Sequence, residues 1–217
     1  MDPQGNTTYT LANRMDEEIE GTLYAALIRG KPLKEIIIPT NQPSLFLAPG
    51  SMWLCAAEIE LVNRQSRERV LQKAMRGIKQ DEYDFVLIDT QPSLGLLTLN
   101  AWVASDSLIV PIALTVYALI GIKILEWSLK TTRKEQELPI PIIGVIGCLD
   151  DHTKNSQKFL QDIKAYFGDI VFQTVIPRNI KVEEANNRTV SLFDYAPDST
   201  GAIAYANLVK EVLSRVR

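Results

Sequence analysis

The feature that most constrains this chain is an alternation along its length. Short apolar runs rich in Val and Ile stand between stretches with helical spacing. A strand covered on both faces reads as a near-continuous apolar run, and strands alternating with helices build βαβ units. The expected fold class is therefore α/β, with a mainly parallel twisted sheet and helices on both faces. The runs expected as strands are Ile36–Ile38, Leu45–Ala48, Phe85–Ile88, Leu108–Val110, Ile142–Ile146 and Val171–Val175. Residues 56–79 read as one long helical stretch. Phe159, Leu160, Ile163, Tyr166 and Phe167 form a stripe at helical spacing, and Tyr205, Leu208, Val209, Val212, Leu213 and Val216 form another. Such a stripe docks on a core or lies on a membrane surface, and docking is the expectation here.

With 217 residues, 46% hydrophobic and 23% charged, the chain suits a single domain over 1–217. A net charge of -3 gives no global reason to bind nucleic acid, so such binding needs a local patch or a dimer. Cys55 and Cys148 are far apart and His152 is the only histidine, so no metal-ligand pair is suggested and the thiols read as structural. The first ten residues lack a basic region followed by an apolar stretch. The uncharged run Ser107–Ile122 is shorter than a membrane span and contains Pro111. A cytoplasmic protein with no membrane partner is expected.

Phe85-Val86-Leu87-Ile88-Asp89 is an apolar run ending in a carboxylate. P-loop NTPases place an Asp in this way beside nucleotide-bound Mg²⁺. Many parallel strands also end in Asp simply because the carboxyl edge of the sheet meets solvent, so the run by itself leaves both readings open.

The segment that follows, Thr90-Gln91-Pro92-Ser93-Leu94-Gly95, resembles the D-C-P-P-S-L-G segment of ParA-type partition ATPases, the ParA, Soj and MinD class of AAA-domain proteins. Asp2-Pro3-Gln4-Gly5-Asn6 matches the family's D-P-Q-G-N, and Ala57-Glu58-Ile59-Glu60-Leu61 matches a further family segment. Tyr117-Ala118-Leu119 with Gly121 is similar to Y-A-L-E-G, and Val175-Ile176-Pro177-Arg178-Asn179 to V-I-P-R-N. Tyr195 to Ala202, with Tyr205, resembles D-P-x-S-x-G-A-x-A-Y. The matches run in family order over nearly the whole chain.

The resemblance implies ATP and Mg²⁺ as cofactors. Asp2 would be the catalytic carboxylate that orients the attacking water, Asp89 would act on the metal, and Pro177, Arg178 and Asn179 would approach the adenine. Read without the family, Asp2 is a turn residue before Pro3, Asn6 is a helix cap, and Pro177 to Asn179 is a strand-to-helix turn. The implied partners are nonspecific DNA, bound with ATP, a ParB-like or other adaptor protein, and a second copy in an ATP-bound homodimer. The basic residues to consider for DNA are Arg178, Lys181, Arg188, Lys210, Arg215 and Arg217. Five acidic residues stand among these six, so a mixed solvated surface is the competing reading.

In the family, the deviant Walker A loop K-G-G-V-G-K-T-T precedes D-P-Q-G-N. No G-x-x-x-x-G-K-[ST] occurs in these 217 residues, where the Asp of D-P-Q-G-N is residue 2. The resemblance therefore implies a deviant P-loop NTPase fold without its first strand, its P-loop helix and most of its second strand. The domain is expected to be incomplete at the N-terminus. An internal methionine taken as Met1 would account for this, and so would a gene remnant. Two functions stand side by side: an ATP-dependent dimerising switch for DNA segregation or cargo positioning, and a nonenzymatic module without productive ATP binding. As given, the chain is expected to be inactive as an ATPase.

Overall fold

The computed structural model describes residues 1–12, 19–79, 82–115 and 118–216. The chain folds as two compact units, Met1–Ser105 and Asp106–Arg217.

The second unit holds the parallel sheet. Strands β3 (Leu108–Ala113), β4 (Ile142–Asp150) and β5 (Ile176–Pro177) run parallel in the order β3-β4-β5. Pro111 lies in β3, whose only ladder among the described residues is with β4; a strand at an edge tolerates the missing N–H. Adjacent residues of β4 point to opposite faces. Val145 packs with Ile122 of α5 (Ala118–Gln136) and Ile163 of α6 (Lys154–Phe167). Ile146 packs with Phe172, Ile176 and Ala204 of α9 (Thr200–Arg215). Both faces of this sheet are thus covered by helices, as the unbroken apolar run 142–146 implies.

Four helices of this unit begin where the sequence offers a cap. Thr153 accepts the Ser156 amide at the start of α6, and Asn179 accepts that of Lys181 at the start of α7 (Ile180–Asn187). Ser191 opens α8 (Leu192–Tyr195) and Ser199 opens α9 in the same way. Each satisfies an amide that the first helical turn leaves without a partner. Gly168, at φ 63°, ends α6. The stripe 159–167 and the C-terminal stripe both fall on these helices, and Leu208 and Val212 dock on the core.

Val171–Val175 is not a strand. Val171 makes one isolated parallel bridge to Val145, and the ladder resumes only at Ile176. Between them the amides of Gln173 and Thr174 donate to the Glu211 carboxylate of α9, each at 2.8 Å, so they are taken by a helix side chain.

The first unit is mostly helical. It contains α1 (Asn6–Ala12), a π-helical turn at Ala25–Arg29, α2 (Leu54–Leu61), α3 (Val70–Ala74) and α4 (Leu96–Ala104). Leu27, Leu54, Leu61 and Leu97 form the centre of its core. The expected strands near 36–38 and 45–48 shrink to an antiparallel pair, β1 (Ile38–Pro39) and β2 (Phe46–Leu47), separate from the parallel sheet. Pro39 ends the first, and Ile36 turns into the core.

Two further expectations are corrected here. The stretch 56–79 breaks after α2, where Ser66 sits in the left-handed region at φ 53°, and helix resumes at α3. Phe85–Ile88 makes no ladder among the described residues, and Leu87 is 89% exposed. A strand needs a neighbour to take its backbone hydrogen bonds, and apolar composition alone does not supply one.

Asn100 of α4, fully buried, ties the first unit together. Its Oδ1 accepts the Leu71 amide of α3 at 3.0 Å, and its Nδ2 donates to the carbonyls of Arg67 and Leu96 at 2.8 and 2.9 Å. Asn100→Ala strands these groups and is expected to cost about 1–3 kcal/mol. Urea unfolding of the two proteins measures the loss.

Candidate functional site

In the first unit, Asp2-Pro3-Gln4-Gly5 forms a turn leading into α1. Asp2 Oδ1 accepts the Gln4 amide at 2.9 Å, its carbonyl accepts the Gly5 amide at 3.2 Å, and Gly5 has the positive φ of 65° that the turn requires. Thr8, in the first turn of α1, both donates to the Gly50 carbonyl at 3.0 Å and accepts the Gly50 amide at 2.9 Å. This two-way bond clamps α1 onto the segment before α2.

Asp89 is brought to the same place from the far end of the unit, because the Thr7 hydroxyl donates to its Oδ2 at 2.7 Å. Asp89 is thereby tied to the helix that follows the Asp2 turn. Beyond Asp89, Gln91 Nε2 donates to Glu58 Oε2 of α2 at 3.2 Å. Thr7 and Thr8 were not singled out from sequence; their position immediately after D-P-Q-G-N, on the first turn of the helix, is the signal that could have found them.

In the second unit, β4 and β5 place Pro177, Arg178 and Asn179. The Arg178 amide donates to the Asp150 carbonyl at 2.8 Å, and the Arg178 side chain is exposed. Asn179 caps α7 and also donates from Nδ2 to Thr200 Oγ1 at 2.8 Å, joining the starts of α7 and α9. Gly201 makes that approach possible, since a Cβ there would meet Val182 at 3.3 Å and Asn179 at 3.4 Å.

The basic residues are used in different ways. Lys181 pairs with Glu184 at 2.7 Å, and Tyr195 donates to the same Glu184 oxygen at 2.7 Å. Arg188 lies 5.3 Å from the centre of the Tyr195 ring and remains exposed, as does Lys210. Arg215 donates to the carbonyls of Ile143 and Ile170 at 2.7 and 2.6 Å, and its guanidinium lies over the Phe172 ring at 4.1 Å. It is occupied with holding α9 to the sheet. Arg217, like Tyr117, lies outside the described residues.

Asp150 closes β4 with a polar knot. Its Oδ1 accepts from Ser156 Oγ at 2.7 Å and from the His152 amide at 2.9 Å, and its Oδ2 lies 3.0 Å from His152 Nδ1. Among the described residues no group of three or more His, Cys, Asp or Glu could hold a metal ion, and no helix is long and apolar enough to cross a membrane.

A family model described as "AAA domain" matches residues 1–141. The chain is 38% identical over 213 residues to the sporulation initiation inhibitor protein Soj of Bacillus subtilis, covering 98% of this chain and 83% of that protein. It is 34% identical over 216 residues to the chromosome partitioning protein ParA of Myxococcus xanthus, covering 99% and 76%. Among solved structures it is similar to cobyrinic acid a,c-diamide synthase from Mycobacterium smegmatis with bound ATP analog and magnesium, at 27% identity and a TM-score of 0.80, covering 98% and 79%.

Burial pushes the Asp150 carboxyl up, but hydrogen bonds from Ser156 and His152 outweigh this and hold its pKa below the ordinary value. A depressed carboxylate contributes stability above its unfolded pKa, ~3.9, and loses it as pH falls through the folded value. Wild type is therefore expected to exceed Asp150→Asn by about 1 kcal/mol at neutral pH, with the gap closing below pH ~4. Thermal unfolding of both proteins across that range measures it.

Proposed function

The chain belongs to the ParA and Soj family of partition ATPases, and from that membership we propose that Asp2 and Asp89 serve the water and magnesium side of an ATP site. The observation that carries this reading is the hydrogen bond from Thr7 to Asp89, which ties Asp89 to the helix that follows the Asp2 turn. Nucleotide-bound magnesium takes one or two protein carboxylates and completes its shell from waters and phosphates. Asp89 and the Thr7 hydroxyl are an all-oxygen set of that kind, and Asp89 would hold the metal. Bound there, magnesium neutralises charge on the phosphates. Asp2, fixed by its own turn, would orient water. The fit is confined to this side, because these 217 residues contain no G-x-x-x-x-G-K-[ST] to cradle phosphate. Pro177, Arg178 and Asn179 stand at the carboxyl end of β5, the end at which open α/β sheets bind ligands, which supports an adenine-facing role.

The relatives named for chromosome partitioning support a switch that acts on nonspecific DNA, with an ATP-bound homodimer and a ParB-like or other adaptor as partners. A cytoplasmic, nucleoid-associated location goes with that reading. Arg178, Arg188 and Lys210 are the exposed cations of the proposed DNA face; Lys181 enters it as half of an ion pair. Arg215 is left out because its guanidinium is already bonded to backbone carbonyls.

The 217 residues by themselves are expected to show no ATP turnover above buffer. Turnover abolished by Asp89→Ala would reveal a phosphate site of another kind. Joined to a lysine-bearing phosphate-loop unit from a Soj relative, the chain is expected to bind Mg-ATP and dimerise. Asp89→Ala should then weaken that binding by about 1.5–3 kcal/mol, roughly tenfold or more. Calorimetry and light scattering decide, and a folded fusion that gives neither heat nor a change in mass defeats the switch reading.

For DNA, the fused protein is expected to bind only with ATP. Replacing Arg188 and Lys210 together by Ala should reduce the slope of log K against log salt by up to ~1.8 per protomer, as expected when two phosphate contacts are lost. An unchanged slope, or equal binding without nucleotide, removes this face from the proposal.

A further inference from the structure

Glu58 is a carboxylate whose place packing does not explain. It lies on α2, with Oε2 accepting from Gln91 Nε2 at 3.2 Å, while Oε1 is buried without a hydrogen-bond partner. A buried acceptor left unpaired is costly, and an apolar side chain would fill the same space without that cost. What the carboxylate meets is the backbone of Gly95: a Cβ built there would overlap Oε1 and fall 2.8 Å from Cδ of Glu58. The acid thus occupies the room a side chain at 95 would need.

Gly95 is also the N-cap of α4 and provides no side-chain cap. The first amides of a helix carry a partial positive charge and lack intrahelical acceptors, so an anion beside them is favourable. The side chain that approaches this N-cap comes from another helix, where the Glu58 carboxyl packs on Gly95. The segment from Asp89 to Gly95 is therefore bonded at two points, by Thr7 on Asp89 and by Glu58 on Gln91, and its end packs against the Glu58 carboxyl at Gly95.

We propose that Glu58 is a positioning residue for Asp89: by holding Gln91 and the start of α4, it sets the path of the chain leaving Asp89 and hence where that carboxylate stands. The inference rests on the role proposed above for Asp89, but its test involves no nucleotide, so the two can fail separately.

The test uses the 217-residue chain and reads backbone hydrogen exchange together with the Asp89 carboxyl carbon resonance by NMR. In Glu58→Ala, amides 91–96 are expected to exchange about tenfold faster while those of α3 change less than about twofold, and the Asp89 resonance is expected to move. Glu58→Gln keeps an acceptor for Gln91 but not the charge at α4, and should fall between the two. Gly95→Ala displaces the carboxylate and should reproduce the effect, and the Glu58→Ala/Gly95→Ala pair should be less than additive because both remove one contact. A uniform rise in exchange that includes α3 would show that Glu58 only stabilises the fold, and would overturn the proposal. So would an unmoved Asp89 resonance or an additive double variant. If Glu58→Ala does not fold, Gly95→Ala and Glu58→Gln give the same decision.

Discussion

The first unit depends on a hydrogen bond given by one helix to the start of another. Arg69 precedes α3 without a side-chain cap, and the amide of Leu71 would be buried unpaired if Asn100 did not reach it from α4. The same Asn100 amide group holds the carbonyls of Arg67 and Leu96, so all three of its contacts are backbone groups. A buried amide satisfied in this way fixes register between helices more narrowly than apolar contact does, because hydrogen bonds depend on direction while burial depends mainly on area. α4 is thereby set against α3, and the chain from Asp89 leads into α4.

This borrowing of caps divides what could be read in the sequence from what could not. In the second unit, Thr153, Asn179, Ser191 and Ser199 each cap the helix they precede, and the stripes of α6 and α9 follow at the expected spacing. Those helices are legible because cause and effect are a few residues apart. In the first unit, Trp53, Arg69 and Gly95 provide no side-chain cap. The residue that serves α3 instead, Asn100, lies on α4, 29 residues from Leu71. No local pattern carries that information, so 56–79 reads as one helix with nothing to mark the break at Ser66. Glu211 has the same effect on 171–175, taking the amides of Gln173 and Thr174 from a helix 38 and 37 residues away.

The candidate site divides in the same manner. Asp2 and Asp89 are legible because each belongs to a recognisable run, D-P-Q-G-N for one and an apolar stretch for the other. What the sequence does not reveal is how they are brought together: the hydroxyl of Thr7 spans 82 residues to reach Asp89. The geometry also gives Asp2 the turn role that its chemistry allows, since Oδ1 accepts the Gln4 amide. The two readings of Asp2 are compatible, because a carboxylate has two oxygens and the turn uses one acceptor site on one of them.

Charge counting is the step at which sequence reasoning overreaches most. A basic residue contributes to DNA affinity only if its charge can displace a counterion from phosphate, which requires an exposed cation not already paired. Arg215 has turned its guanidinium to carbonyls and an aromatic ring, and Lys181 shares Glu184 with Tyr195. Arg178, Arg188 and Lys210 remain exposed. Three cations on a chain of net charge -3 form a small footprint, and nonspecific affinity grows with each phosphate neutralised. In the proposed switch, two copies presenting such a face together would double both the contacts and the salt dependence. Coupling DNA affinity to dimerisation in the proposed switch would need no specialised DNA motif, only a patch too weak to act as a monomer.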